Sequence, residues 1–177
     1  AWGTPYAAAM VGCTLVLPGP GLDGASLTQM IDDYKVSVAL GVPTIWQGLI
    51  NAAQQAGSQL ESLVRNVVGG SACPPAMLKV FKEQFNCETI HAWGMTETSP
   101  LGSSNQFKAK HLLLSEEEQL QVRLSQGRPP FGGDLRITDE ENGTNEVARD
   151  GETTGNLQIQ GHWIIGNYFG KTESALT

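Results

Sequence analysis

Thr96 and Glu97 are the neighbouring pair in this chain whose side chains could do chemistry together. They sit within His91-Ala92-Trp93-Gly94-Met95-Thr96-Glu97-Thr98-Ser99-Pro100. An apolar, strand-like run from Thr89 to Trp93 breaks at Gly94, and a hydroxyl and a carboxylate follow. That order sets an aromatic face, a phosphate-binding hydroxyl and a candidate Mg²⁺ ligand at the mouth of a strand. Mg²⁺ is a hard cation that prefers oxygen ligands. Taken alone, a Thr-Glu pair equally marks a helix start or a surface loop. Gly69-Gly70-Ser71-Ala72 is a second candidate. Two glycines let a ligand approach the backbone closely, and the peptide groups can then read a base edge. Taken alone, this is also a plain turn between strand and helix. His91 precedes Trp93 by two residues and so shares its sheet face, either lining a pocket or buried with its polar atoms satisfied.

The elements that must position these residues alternate along the first hundred positions. Thr14 to Leu17 is a short apolar run of strand type, stopped by Pro18-Gly19-Pro20-Gly21. Leu27, Met30, Ile31 and Tyr34 form a helical stripe. Val36 to Leu40 reads as a buried strand, closed by Gly41 and Pro43. Trp46, Leu49, Ile50 and Ala53 form the next stripe, and Arg65 to Val68 the third strand. Pro74 and Pro75 suit the first turn of a helix, along which Met77, Phe81 and Phe85 recur. Glu88 to Trp93 is the fourth strand. This rhythm predicts an α/β fold, a mostly parallel sheet with crossover helices. Ligands of such sheets bind outside the carboxyl ends of the strands. Three of those ends, Gly41 to Thr44, Gly69 to Cys73 and Gly94 to Thr98, are rich in glycine or hydroxyls.

The texture changes after Pro100. Residues 102–114 read as a loop. Ser115-Glu116-Glu117-Glu118 is a capping-box pattern that opens a solvated surface helix through about Leu124. Leu135 to Thr138 and Gly155 to Gln160 alternate like strands, Ile164-Ile165 suggests one more, and Asn142-Gly143 signals a tight turn. The expected organisation is an α/β part over residues 1–101, a connection over 102–127, and a small antiparallel β unit over 128–177.

Bulk properties narrow the class. With 177 residues and 40% hydrophobic content, the chain can bury a core. A net charge of −7 argues against a nucleic-acid partner or a basic membrane-binding face. No apolar run approaches a membrane span, and the first residues lack a signal-peptide pattern. Cys13, Cys73 and Cys87 are spaced without a Cys-x-x-Cys pair, which reads as buried or reduced thiols in a cytoplasmic protein. His111 and His162 lack a metal-spaced partner and receive no role.

Trp93-Gly94-Met95-Thr96-Glu97 resembles the core motif of the adenylate-forming (AMP-binding) enzymes, in particular the acyl-CoA synthetase or fatty-acid–CoA ligase branch. Three further blocks resemble that family in the same order: Gly69 to Ala72, Gly127-Arg128-Pro129, and Gly151-Glu152 with Gly155 to Gly161. The resemblance implies that Trp93 stacks on adenine, a contact worth roughly 1–3 kcal/mol per base in nucleotide-binding proteins. It implies that Gly69, Gly70, Ser71, Ala72, Gly94 and Met95 complete the nucleotide site. Thr96 would contact the α-phosphate and Glu97 would bind Mg²⁺, which gives these two the catalytic roles. Trp2, Trp46, Gly69 and His91 would line the acyl pocket, although Trp46 equally suits a helical core stripe. Many family members carry Tyr in place of Trp93, and Gln160-Gly161-His162 departs from the usual Arg-Gly-Pro. The chemistry implied is ATP-dependent activation of a carboxylic acid as acyl-adenylate, followed by transfer to coenzyme A. ATP, the acid and coenzyme A are then the small-molecule partners.

The resemblance covers only the middle of the family pattern. The phosphate-binding loop, the ribose-binding aspartate and the C-terminal lysine have no counterpart here, and Lys171 lacks the context for that last role. The chain therefore reads as a fragment, inactive alone, with an apolar patch beside the strand ends or at a sheet edge that would drive self-association. Two alternatives stay open. One is a non-catalytic nucleotide-, acyl-binding or assembly module from a truncated gene. The other is a different adenylating enzyme, such as an aryl-acid ligase, a luciferase-like enzyme or a peptide-synthetase adenylation domain.

Overall fold

A computed structural model describes residues 3–141 and 143–172. Trp2, assigned above to the acyl pocket, and Asn142 of the turn signal lie outside the described residues. The chain runs α1 (Thr4–Val11), α2 (Gly24–Tyr34), β1 (Val38–Gly41), α3 (Pro43–Ala56), β2 (Arg65–Val68), α4 (Pro75–Phe85), β3 (Glu88–Gly94), β4 (Leu101–Ser104), α5 (Glu116–Leu124), β5 (Gly133–Thr138) and β6 (Asn156–Gly161). Short 3₁₀ turns fill Thr96–Thr98 and Ala109–Leu113. The main sheet has the order β1-β2-β3-β4. The first three strands are parallel and β4 returns antiparallel along β3, while β5 and β6 form a separate antiparallel pair. The fold is α/β, as expected.

Local chemistry explains the helix ends. Asp23 caps α2 by accepting from the Ser26 N–H at 2.9 Å. Pro43 and Pro75 open α3 and α4, where a missing N–H leaves nothing unsatisfied. Gly57, with φ 68°, ends α3 in the left-handed conformation that lets the last carbonyls be capped. Ser115 and Glu118 form the expected reciprocal capping box of α5.

One face of the sheet meets α3 and α4. Trp46, Leu49, Ile50, Ala53, Val68 and Phe81 are buried there. Trp46 and Phe81 meet edge to face, with ring centroids 5.8 Å apart. In the sheet register, the opposite face carries Val38, Leu40, Val67 and Ile90, and Val38 and Leu40 remain 45% and 41% exposed. Both lie on β1, an edge strand of the sheet, which is one of the two places where the sequence suggested an apolar patch.

Three expectations need correction. Thr14 to Leu17 forms no strand and pairs with none among the described residues, and Leu17 is 75% exposed. Apolar content alone cannot make a strand without a backbone partner. Residues 102–114 are not a plain loop. Leu101–Ser104 form β4, a short strand of small residues whose pairing is set by the turn before it rather than by alternation. Ile164-Ile165 is not a strand, because the Ile164 N–H closes a turn on the Gly161 carbonyl at 3.2 Å and the Ile165 N–H donates to the Glu97 carbonyl at 3.0 Å instead of joining a sheet. The acidic first turn of α5 is solvated, as expected, and no residue of the helix is fully buried. Arg123, on its far side, pairs with Glu88 at 2.7 Å, donates to the Thr89 carbonyl at 3.2 Å and covers the Phe107 ring at 3.8 Å.

Candidate active site

The carboxyl ends of β1, β2 and β3 lie side by side, so Gly41–Thr44, Gly69–Cys73 and Gly94–Thr98 open on one edge of the sheet. The Gly69 N–H donates to the Gly41 carbonyl at 3.2 Å, which ties the first two ends together. Gly70 has φ 82°, a left-handed conformation suited to glycine, and lets the loop turn over Val42.

The Thr96-Glu97 turn is built by its neighbours. At Gly94 a Cβ would lie 1.7 Å from the Pro100 carbonyl oxygen, so the two backbones pass where only glycine fits. The Met95 N–H donates to that same carbonyl at 3.0 Å. Thr98 is fully buried. Its hydroxyl accepts from the Met95 N–H at 2.9 Å and faces the carbonyls of Met95 and Pro100. Thr98 is the structural pin of the motif, a part that sequence reasoning did not assign. With the turn pinned, Met95 and Thr96 are exposed and Glu97 half-buried. The Tyr168 hydroxyl donates to Oε1 of Glu97.

Trp93 is half-buried, and its indole lies over β4. A Cβ on Gly102 would meet that ring at 2.2 Å, so Gly102 is the floor on which it rests. No periodic signal marks Gly102 in the sequence.

His91 is buried beneath the glycine loop. Its Nε2 accepts from the Cys73 N–H at 3.3 Å and lies 3.4 Å from the Gln126 side-chain nitrogen. Two donors on Nε2 place the proton of the neutral ring on Nδ1, which has no hydrogen-bond partner among the described residues. Burial pushes the His91 pKa below its ordinary value, with the carbonyls of Ser71 and Leu124 opposing. The histidine thus joins the Gly69–Cys73 loop, β3 and the segment after α5, through a Gln126 that the sequence did not single out.

The structure brings Gly69–Ala72, Trp93 and Gly94–Glu97 to one edge but leaves Trp46 in the core, its ring against Gly41 and Phe81. A cleft of about 670 Å³ opens beside the motif, lined by Met95, Glu97, Arg136, Gln158 and Ile165 among others. The glycine loop and Trp93 do not line it. A second hollow, of about 530 Å³ at Asp32 and Gly57–Ser62, belongs to the connection between α3 and β2 and holds no candidate residue. Among the described residues, no group of three or more acidic, histidine or cysteine side chains could cage a metal. Glu97 nevertheless lines the cleft together with Asp134 and Glu146, a lining that fits Mg²⁺, which keeps several waters and binds one or two carboxylates together with substrate phosphates.

Residues 1–169 match the AMP-binding enzyme family, and the chain belongs to it. It is 53% identical over 169 residues to the 3-methylmercaptopropionyl-CoA ligase of Ruegeria pomeroyi, covering 96% of this chain and 31% of that protein. It is 54% identical over 169 residues to the medium-chain-fatty-acid–CoA ligase of Ectopseudomonas oleovorans, again over 96% and 31%. The anthranilate CoA ligase AuaEII, solved in complex with anthranoyl-AMP, superimposes with a TM-score of 0.72 at 20% identity, over 91% of this chain and 28% of that one. That last likeness is one of fold. The chain spans 31% of the length of the two curated relatives. Among the described residues, no helix is long and apolar enough to cross a membrane.

Proposed function

We propose that this chain is the part of an ATP-dependent acid–CoA ligase that presents the nucleotide and the metal-binding carboxylate. The observation that carries this reading is the pinned turn Gly94–Pro100, which holds Thr96 and Glu97 at the same sheet edge as the glycine loop. In the complete reaction, a substrate carboxylate attacks the α-phosphorus of ATP and pyrophosphate leaves; the thiol of coenzyme A, losing its proton, then attacks the acyl carbon of the acyl-adenylate and AMP leaves. Catalysis of such a transfer is mostly positioning and charge neutralisation. Trp93 offers its open face to adenine while Gly102 supports the other. The Thr96 hydroxyl donates to the α-phosphate. Glu97 would hold Mg²⁺, which when bound neutralises charge on the phosphates. The backbone of Gly69–Ala72 borders the adenine and the acyl group, and the buried His91 sets the floor of that border.

The relatives at 53% and 54% identity are a 3-methylmercaptopropionyl-CoA ligase and a medium-chain-fatty-acid–CoA ligase, which supports an aliphatic acid as substrate. Turnover belongs to a full-length ligase, and this chain spans 31% of the length of those relatives. The chain alone is expected to bind nucleotide weakly and to turn nothing over. A cytoplasmic location goes with the same reading, in keeping with three free thiols. The test is titration of the purified chain with Mg·ATP and with a non-hydrolysable acyl-adenylate mimic. Saturable binding of the mimic supports the reading, and a folded chain that binds neither contradicts it.

A further inference from the structure

The segment after β6 lies across the motif at three points. The Trp163 indole N–H donates to the Leu101 carbonyl at 3.0 Å, and its ring covers Gly133, where a Cβ would come within 2.9 Å. The Ile165 N–H donates to the Glu97 carbonyl at 3.0 Å. The Tyr168 hydroxyl donates to Oε1 of the Glu97 carboxylate. Backbone and side chain of Glu97 are therefore both gripped by residues about seventy positions away in the sequence. The phenol engages Oε1 of a carboxylate whose residue lines the cleft beside the motif.

We propose that Tyr168 is the positioning residue of the Glu97 carboxylate, holding Oε1 so that Oε2 is presented to a divalent cation. This rests on the reading of Glu97 as the Mg²⁺ ligand. A ligating carboxylate is itself usually hydrogen-bonded, and loss of that outer partner typically lowers metal affinity about 10–100-fold. Tyr168 touches neither metal nor substrate and acts through the carboxylate. The Trp163 and Ile165 contacts fix the segment, so the phenol reaches Glu97 from a set direction.

The test compares the wild-type chain with Tyr168→Phe, Glu97→Gln and the double variant, measuring the Kd of Mg·ATP and, in chelator, of AMP. The phenylalanine keeps the ring and removes only the donor, and thermal denaturation checks that the chain stays folded. Tyr168→Phe should weaken Mg·ATP about tenfold and leave metal-free AMP unchanged. In the Glu97→Gln background it should have no further effect. Unchanged or tighter Mg·ATP binding by Tyr168→Phe, with Glu97→Gln still weakened, overturns the positioning role; tighter binding would make the phenol a competitor of the metal. Equal losses for Mg·ATP and AMP also overturn it, as a general structural effect. If Glu97→Gln itself changes nothing, or the wild-type chain shows no metal-dependent binding, the reading of Glu97 fails and this proposal with it.

Discussion

Gly94→Ala is the smallest change that should dismantle the motif. The added methyl would sit 1.7 Å from the Pro100 carbonyl oxygen, 2.8 Å from its carbon and 3.2 Å from the Gly102 nitrogen. These are backbone atoms, so no side chain can swing away, and the two segments must separate by more than an ångström. Separation breaks the Met95 N–H bond to Pro100 and loosens the contacts of the buried Thr98 hydroxyl. At about 0.5–1.5 kcal/mol for each hydrogen bond, plus the cost of a buried polar group left unpaired, the loss is about 2–4 kcal/mol. For a chain of this size that corresponds to a fall in Tm on the order of 5–10 °C. Gly48→Ala is the matched control, because a Cβ there meets nothing closer than 3.8 Å. In the interior of α3, alanine should stabilise by about 0.5–1 kcal/mol. The assay is calorimetric Tm together with binding of the acyl-adenylate mimic. Gly94→Ala should lose both stability and binding, and Gly48→Ala neither. A Gly94→Ala chain with wild-type Tm and affinity would refute the close-approach argument.

The remaining predictions concern the core, the thiols and the open sheet face. Because burial holds the folded-state pKa of His91 below its ordinary 6.5, unfolding takes up a proton in mildly acidic solution. Stability from this group is complete above pH 6.5 and lost as pH falls through the lower folded-state value; His91→Asn should flatten that part of the stability profile measured by urea denaturation. Burial raises the Cys73 thiol to about 11 and the Cys87 thiol to about 12. Brief alkylation of the native chain at pH 8 should therefore label the exposed Cys13 alone by mass spectrometry, and all three cysteines after denaturation. The uncovered Val38 and Leu40 should make the chain associate with itself at high concentration. Light scattering should then show Leu40→Lys shifted toward the monomer; a wild-type chain that stays monomeric would remove the premise.

Where a helix or strand owes its place to periodicity, the sequence already showed it. Trp46, Leu49, Ile50 and Ala53 recur at helical spacing and are all buried. Tyr34 shares the stripe of Leu27, Met30 and Ile31, yet it is exposed; Thr28 is buried in that helix instead, its hydroxyl bonded to the Gly24 carbonyl. β4 escaped notice because Gly102, Ser103 and Ser104 carry no apolar alternation. Their pairing follows from the turn at Gly94–Pro100, a contact between backbones that residue types do not advertise. The candidate site divides in the same way. Thr96, Glu97, Trp93 and the glycine loop stand out by chemistry and by position at strand ends. Thr98, Gly102, Gln126 and Tyr168 act by holding those residues, and three of them come from segments with no motif of their own. Tyr168 reaches Glu97 across 71 positions, a distance over which spacing carries no information.

The central claim is that the Gly94–Pro100 turn forms a working half-site for an adenylate in this chain. Calorimetric titration with the non-hydrolysable acyl-adenylate mimic tests it most directly, with Trp93→Ala and Glu97→Gln measured beside the wild type. The account predicts saturable binding to the wild-type chain, lost on removal of the indole, and a metal-dependent part weakened by Glu97→Gln. A folded wild-type chain that does not bind, or binding indifferent to both substitutions, would contradict it.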